Sequence, residues 1–335
     1  MTAKRWIAII AASILLIVSI GVNTLSYFFT RDFSGFLDEM AATDGYSENI
    51  IEAGRGKDKI AVLTLDGVIQ DLGNVSPFLP VGYNHGFFMN QLHEIYEDPF
   101  VKGVVLSVNS PGGGVVESAD IYDAIRMIQE DKEIPVYVSM GGMAASGGYY
   151  VSAPAEKIFV NHETITGSIG VIMESINFAK LAEKYGVDFN TIKTGPYKDI
   201  MSSSREMTAE EREMLQEMIN DSYERFVDII VEGRGMSDAA VRKVADGRIM
   251  NGRQAIEAGL ADDYGKVGDV ISAIQEDHEL QNATVFEYTM NESLSSLFGM
   301  KLTSMFANQR IENELLGKLL SDYSAPRMMY LYGNH

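Results

Sequence analysis

The sequence contains no cysteine. That absence excludes a disulfide framework, a thiol nucleophile and any zinc site built on thiolates. Positive charge is scarce as well: 27 Lys and Arg stand against 47 Asp and Glu, a formal net charge of −20. A surface that acidic repels phosphate backbones, so no nucleic-acid partner is expected. Histidine is limited to five residues, and no tandem repeat runs through the chain. What is present is ordinary for a folded protein. With 46% apolar and 22% charged residues, the 335-residue chain can form one large domain or two smaller ones.

Charge is missing altogether between Arg5 and Arg31, and the uncharged run from Trp6 to Phe29 spans 24 residues. A helix needs about 20 residues to cross the hydrocarbon of a bilayer, so this one is long enough. The apolar part of a cleavable signal peptide is shorter, about 7–15 residues, which favours an uncleaved anchor. Lys4 and Arg5 precede the run, while Arg31, Asp32, Asp38 and Glu39 follow it. The basic flank predicts a cytoplasmic N-terminus (1–5), one transmembrane anchor (6–29) and an extracytoplasmic remainder in the cell membrane. Without Lys4 and Arg5 that remainder is still more acidic, so the anchor alone would hold it to the bilayer.

Residues 30–57 lack periodicity and read as a juxtamembrane linker. From Lys59 the pattern alternates. Ile60–Leu65, Val101–Val108 and Ile134–Val138 are short apolar runs of strand type. Phe88, Leu92, Ile95 and Tyr96, then Ile121, Ala124, Ile125 and Ile128, recur at helical spacing. Such alternation implies an α/β fold of βαβ units on a largely parallel sheet, here over residues 58–278. Thr208-Ala-Glu-Glu211 is a capping box. It opens a long helix with an apolar stripe at Leu215, Met218, Ser222, Phe226 and Ile230, ended by Gly233 and Gly235. Residues 279–335 form a less regular C-terminal extension.

Two glycine clusters follow expected strands. Ser110-Pro-Gly-Gly-Gly114 lacks the Gly-Lys-Ser/Thr of a phosphate-binding loop. It suits either a structural turn or backbone N–H donors for an oxyanion. Gly141-Gly-Met-Ala-Ala-Ser146-Gly-Gly-Tyr-Tyr150 follows the strand ending near Met140. It presents a serine among small residues where a strand would give way to a helix. That setting fits an exposed nucleophile or simply close packing. Ala144 breaks the Gly-x-Ser-x-Gly spacing, so this is not an α/β-hydrolase elbow.

A serine nucleophile needs a base. Among His85, His93, His162, His278 and His335, only His162 is placed to complete a triad, on a strand shortly after Ser146. Lysine serves instead if burial holds its amine neutral, at a cost of roughly 3–4 kcal/mol. Lys198 follows an expected strand and the Gly195-Pro196 turn, where active-site residues gather, although a loop lysine is more often simply solvated.

Taken together, the motifs resemble those of a known family. They are Ser110–Gly114, Met143-Ala-Ala-Ser-Gly-Gly-Tyr-Tyr150, Thr166-Gly-Ser-Ile-Gly170, Gly195-Pro-Tyr-Lys-Asp199 and Gly247–Asp262, in that order. The sequence is similar to the signal peptide peptidase A family of bacterial membrane serine–lysine endopeptidases, in its short form with one catalytic domain. The resemblance covers about residues 58–275 and implies a ClpP/crotonase-like fold. It makes Ser146 the nucleophile and Lys198 the general base. Gly113 and Gly147 would be the oxyanion donors, and Ser168 the hydroxyl that orients the lysine. It implies no catalytic histidine, no cofactor and no metal. The implied substrates are remnant signal peptides and other apolar peptides, handled by a ring- or dome-shaped homo-oligomer. The tail Ser324–His335, apolar and aromatic after Pro326, suits packing as a terminal strand or arm; as an extended peptide it could instead lie in its own or a neighbouring active site. Two other readings share the fold: a crotonase-like acyl-CoA enzyme, and a catalytically idle membrane-tethered scaffold.

Overall fold

Three apolar runs of the sequence form adjacent parallel strands, and each is apolar on both faces, as a sheet covered on both sides requires. The structure is a computed structural model that describes Ser19 and residues 46–72, 82–290 and 327–333. Its strands are β1 (Tyr46–Glu52), β2 (Lys59–Asp66), β3 (Val101–Ser110), β4 (Gly112–Gly114), β5 (Val136–Ala145), β6 (Lys157–Val160), β7 (Ile165–Gly167), β8 (Ile249–Asn251), β9 (Asp263–Tyr264), β10 (Thr284–Met290) and β11 (Met329–Leu331). The helices are α1 (His85–Glu97), α2 (Val115–Lys132), α3 (Gly147–Ser152), α4 (Ala179–Lys184), α5 (Ala209–Arg234), α6 (Asp238–Arg242), α7 (Gly252–Glu257) and α8 (Val267–Asp277).

The chain divides into two units, 1–48 with 289–293 and 49–288 with 294–335. What is described of the first is Ser19 and two strand ends, where the Ser47 and Thr289 hydroxyls lie 2.9 Å apart. The second holds the main sheet. Its central strands run β10-β2-β3-β5-β6-β9, and each of these neighbours pairs in parallel.

Period-two alternation sorts the strand side chains between two cores. Ile60, Val62, Val105 and Tyr137 meet Val270, Ile271 and Ile274 of α8 on one face. Ala61, Leu63, Leu65, Val104, Leu106 and Val138 face a larger core on the other. There α1 contributes Phe88, Leu92 and Ile95; α2 contributes Ile121, Ile125 and Ile128; and α5 contributes Phe226 and Ile230. Truncating a central residue such as Leu63 to Ala would cost about 2–5 kcal/mol.

Several local details differ from the sequence pattern. β5 does not stop near Met140 but continues to Ala145. β1 and β10 fall outside 58–278, and β10 extends the sheet by pairing with β2. The capping box at Thr208 and Glu211 is formed, but only the C-terminal half of α5 packs on the core. Leu215 is half-buried and Met218 exposed. Gly233 lies within α5, and Gly235, at φ +60°, ends it. His162 sits in a turn just past β6 rather than on a strand. No strand immediately precedes Lys198: residues 185–208 form neither helix nor strand, and among the described residues no neighbouring strand takes their backbone hydrogen bonds. Residues 6–29 lie outside the described residues apart from Ser19. Among the described residues, no helix is long and apolar enough to cross a membrane.

Candidate active site

Ser146 stands where β5 ends and α3 begins, and a bend in β5 delivers it there. The pairing of β3 with β5 slips between Val108↔Met140 and Ser110↔Ala144, so two extra residues are accommodated at Gly141–Met143. Polar side chains fix this bulge. Met143 N–H donates to Asn109 Oδ1 at 3.2 Å, Thr164 Oγ1 donates to Gly141 O at 2.7 Å, and Thr166 Oγ1 donates to Ala144 O at 2.6 Å. Beyond the bulge β5 leaves β6 and pairs with β7 instead.

Ser146 itself has φ 53° and ψ −115°, backbone that a non-glycine residue seldom adopts. Its N–H donates to Gly167 O at 2.8 Å, and its carbonyl accepts from Tyr150 N–H at 2.9 Å. The residue is buried, yet its hydroxyl has no hydrogen-bond partner among the described residues. Strain of about 1–3 kcal/mol held at one serine is a feature of functional turns. Ser168 follows Gly167, one step past the Ala145↔Gly167 pair, so the structure brings Ser168 beside Ser146. Ser168 is also left-handed, at φ 51°, and its N–H donates to Arg248 O at 2.7 Å.

The two glycine clusters meet. Gly112, at φ +98°, approaches so closely that a Cβ there would lie 2.5 Å from Gly147 N and 2.0 Å from Tyr330 O. The Tyr330 carbonyl therefore lies against Gly112 on the side that the Gly147 amide also approaches, while the Gly112 N–H itself donates to Ser110 Oγ at 3.0 Å. β11 runs antiparallel to β4 with Tyr330 opposite Gly113. Flanking bonds extend the pairing, from Tyr332 N–H to Pro111 O at 2.9 Å and from Val115 N–H to Met328 O at 3.5 Å. A segment of the chain's own tail thus lies as an extended strand along the glycine strand. The Tyr330 ring is fully buried, stacked on Tyr150 at 4.8 Å and tilted against Phe226 at 4.8 Å. Its hydroxyl donates to Ser222 O at 2.8 Å, and burial pushes its phenol well above the ordinary value. Sequence reasoning missed this aromatic recess. Tyr150 and the helical pair Ser222 and Phe226 were its visible signals.

Lys198 is placed differently. It is exposed, and its side chain has no hydrogen-bond or ion-pair partner among the described residues, Ser146 included. Its surroundings are charged: Asp199 accepts from Lys193 and from Arg205, each at 2.6 Å, and Arg205 also pairs with Glu211 at 2.5 Å. These cations hold the Asp199 carboxyl far below its usual range. His162 stacks on Tyr264 at 3.8 Å.

A model of peptidase family S49 matches residues 128–281, and a Clp protease model matches residues 87–164. The chain is 38% identical to a protein of Enterococcus faecium provisionally named a signal peptide peptidase SppA, with 99% of each chain aligned. The chain belongs to peptidase family S49. This S49 chain is also 40% identical to a provisionally named protease of Methanocaldococcus jannaschii, over 64% of its own length and 68% of that protein. It is 32% identical to Protease 4 of Salmonella typhi over 72% of its own length, which spans 40% of that longer protein. Membership makes the protein a serine endopeptidase on a Clp-like α/β fold.

Proposed function

We propose that the protein is a membrane-anchored serine endopeptidase that uses Ser146 and Lys198 to hydrolyse remnant signal peptides. The observation that carries this reading is the extended strand on β4, with its Tyr330 carbonyl against Gly112 on the side that the Gly147 amide approaches. A peptide lying there favours peptide substrates over a thioester. The name of the Enterococcus faecium relative supports the signal-peptide class. An anchor at residues 6–29 would keep the enzyme beside peptides left in the bilayer.

In the proposed reaction a neutral Lys198 amine takes the Ser146 hydroxyl proton, and the alkoxide attacks the peptide carbonyl. Gly113 and Gly147 N–H groups donate to the oxyanion, and the lysine ammonium then protonates the leaving amine. The same lysine activates water to release the acyl group, with the Ser168 hydroxyl orienting the amine. The mechanism needs neither metal nor cofactor. Because Lys198 is solvated within one chain, the dyad is completed in a homo-oligomer, where another copy supplies the surface or the lysine itself. The exposed apolar side chains of Ile176, Leu181, Tyr185 and Ile192, on the segment that carries Lys198, support such an assembly. The tail strand is read as a tethered occupant of the substrate groove.

The test is cleavage of apolar peptides by the full chain in detergent, together with fluorophosphonate labelling. The expected result is labelling at Ser146 and cleavage that is absent in Ser146→Ala. Unlabelled Ser146, or a Ser146→Ala protein that still cuts, would refute the proposal.

A further inference from the structure

The tail strand alternates its side chains between two surfaces, as any extended chain does. Tyr330 and Met328 turn toward α5: the Tyr330 hydroxyl reaches Ser222 O, and Ser222 Oγ lies 3.4 Å from Met328 Sδ. Arg327 meets different partners. Its Nη1 donates to Glu117 Oε1 and its Nη2 to Gln70 Oε1, both at 3.3 Å. Arg327 and Met328 form one wall of a cavity of about 440 Å³, whose other lining includes Asp71, His85, Glu117 and Asp120.

Glu117 is built into this wall rather than waving from it. Its carboxylate folds over Gly114, where a Cβ would come within 1.8 Å of Oε2, so only glycine leaves room for it. Glu117 Oε1 also accepts from Asp71 N–H at 3.3 Å, and the side chain is only 13% exposed. His85 is held at the same recess: its Nδ1 lies 2.7 Å from the Tyr83 hydroxyl and its Nε2 3.8 Å from Asp120. Three carboxylates thus line a recess into which the strand delivers one guanidinium.

We propose that this recess is a substrate subsite for a basic side chain, with Glu117 as its specificity-determining contact. The basic residue lies three positions before the residue whose carbonyl lies against Gly112. The inference rests on reading β11 as an occupant of the substrate groove. It refines the substrate class to peptides in which an Arg or Lys runs directly into an apolar stretch. Such a peptide meets the acidic recess and the aromatic recess together, in one extended register.

The experiment uses the full-length protein and three peptides containing X-Met-Met-Tyr-Leu-Tyr, with X as Arg, Gln or Glu. It reads kcat/KM and the cleavage position by mass spectrometry. Cleavage after the first Tyr is expected, with Arg preferred to Gln by about fivefold, the scale of a partly exposed ion pair, and Glu slowest. The preference should shrink in molar salt. Glu117→Gln should bring the Arg-to-Gln ratio close to one, and Glu117→Arg should favour the Glu peptide. Cleavage after that Tyr at equal rates for all three peptides would overturn the subsite and leave the groove reading intact. Cleavage at other bonds only would overturn the groove reading and the subsite with it. If a Glu117 variant does not fold, the peptide series on the wild-type protein decides alone.

Discussion

The segment that holds Ser146 and the segment that holds Lys198 are built in opposite ways. Residues 136–169 are inner strands and a short helix, with Ser146 buried and its backbone fixed by β7 and the bulge of β5. Residues 171–208 carry apolar side chains outward: Ile176 and Tyr185 are largely exposed and Ile192 is fully so. This second segment is tied mainly by ion pairs, Lys193–Asp199, Arg205–Asp199 and Lys180–Glu206 among them, each worth at most ~1 kcal/mol when exposed. The proposed nucleophile is therefore held in place by the fold of one chain. The proposed base is carried on a surface that an assembly would have to bury.

The sharpest way to break this comparison is to remove each member of the proposed dyad. Ser146→Ala and Lys198→Ala should each lower kcat by about 10⁴-fold or more, the scale for loss of a nucleophile or its base. Lys198→Ala should leave Tm unchanged, because the side chain is exposed and has no hydrogen-bond or ion-pair partner among the described residues. If copies share sites, co-assembling the two inactive variants should restore measurable turnover. An active Lys198→Ala protein would defeat the dyad, and a mixture that stays inert would confine each site to one chain.

A smaller effect is expected from making the exposed segment polar. Ile176→Asp combined with Ile192→Asp should reduce the oligomer to smaller species in light scattering and lower activity by about tenfold, with little change in Tm. An intact oligomer with full activity would show that these side chains have no partner.

How much of this was legible in the sequence follows from the range of the interactions involved. The central strands, α1 and α2 were readable because their apolar residues repeat at the period of the element. The Thr208–Glu211 cap was readable because it is a contact between near neighbours. The bulge in β5 was not, since it depends on Asn109, Thr164 and Thr166 reaching across to glycine-rich backbone that has no pattern of its own. The Gly195-Pro196 turn suggested a strand before Lys198, but a strand needs a neighbour and this stretch has none among the described residues. The motif order suggested the roles of Ser146, Gly113 and Gly147. It could not show that Gly112 also comes within contact of Gly147, or that Tyr330 would fill a pocket made by Tyr150 and Phe226.

The tail gives an effect smaller again. Tyr330→Ala removes the ring that fills the aromatic recess and should release the strand from β4. A tethered occupant competes at an effective concentration in the millimolar range. Its release should raise the rate on added peptides about threefold to tenfold. An unchanged or lower rate would show that the tail supports the site rather than blocking it.

The weakest effect concerns the ion pairs that order the Lys198 segment. The Arg205 guanidinium, with the Thr208 N–H helping, holds the Glu211 carboxyl down from 4.5 to about 2. A carboxyl held low stabilises the folded state above its ordinary value, and that contribution is lost as pH falls through the lowered one. The wild-type protein should therefore exceed Arg205→Ala in Tm at neutral pH, and the gap should narrow as pH falls from 4.5 toward 2. Asp199, also held low by Arg205 and Lys193, moves the same way. Thermal scans of both proteins across that range check it. A gap that stays constant with pH would mean that Arg205 supports the segment by packing alone, and the contrast with the Ser146 region would then rest on exposure rather than on charge.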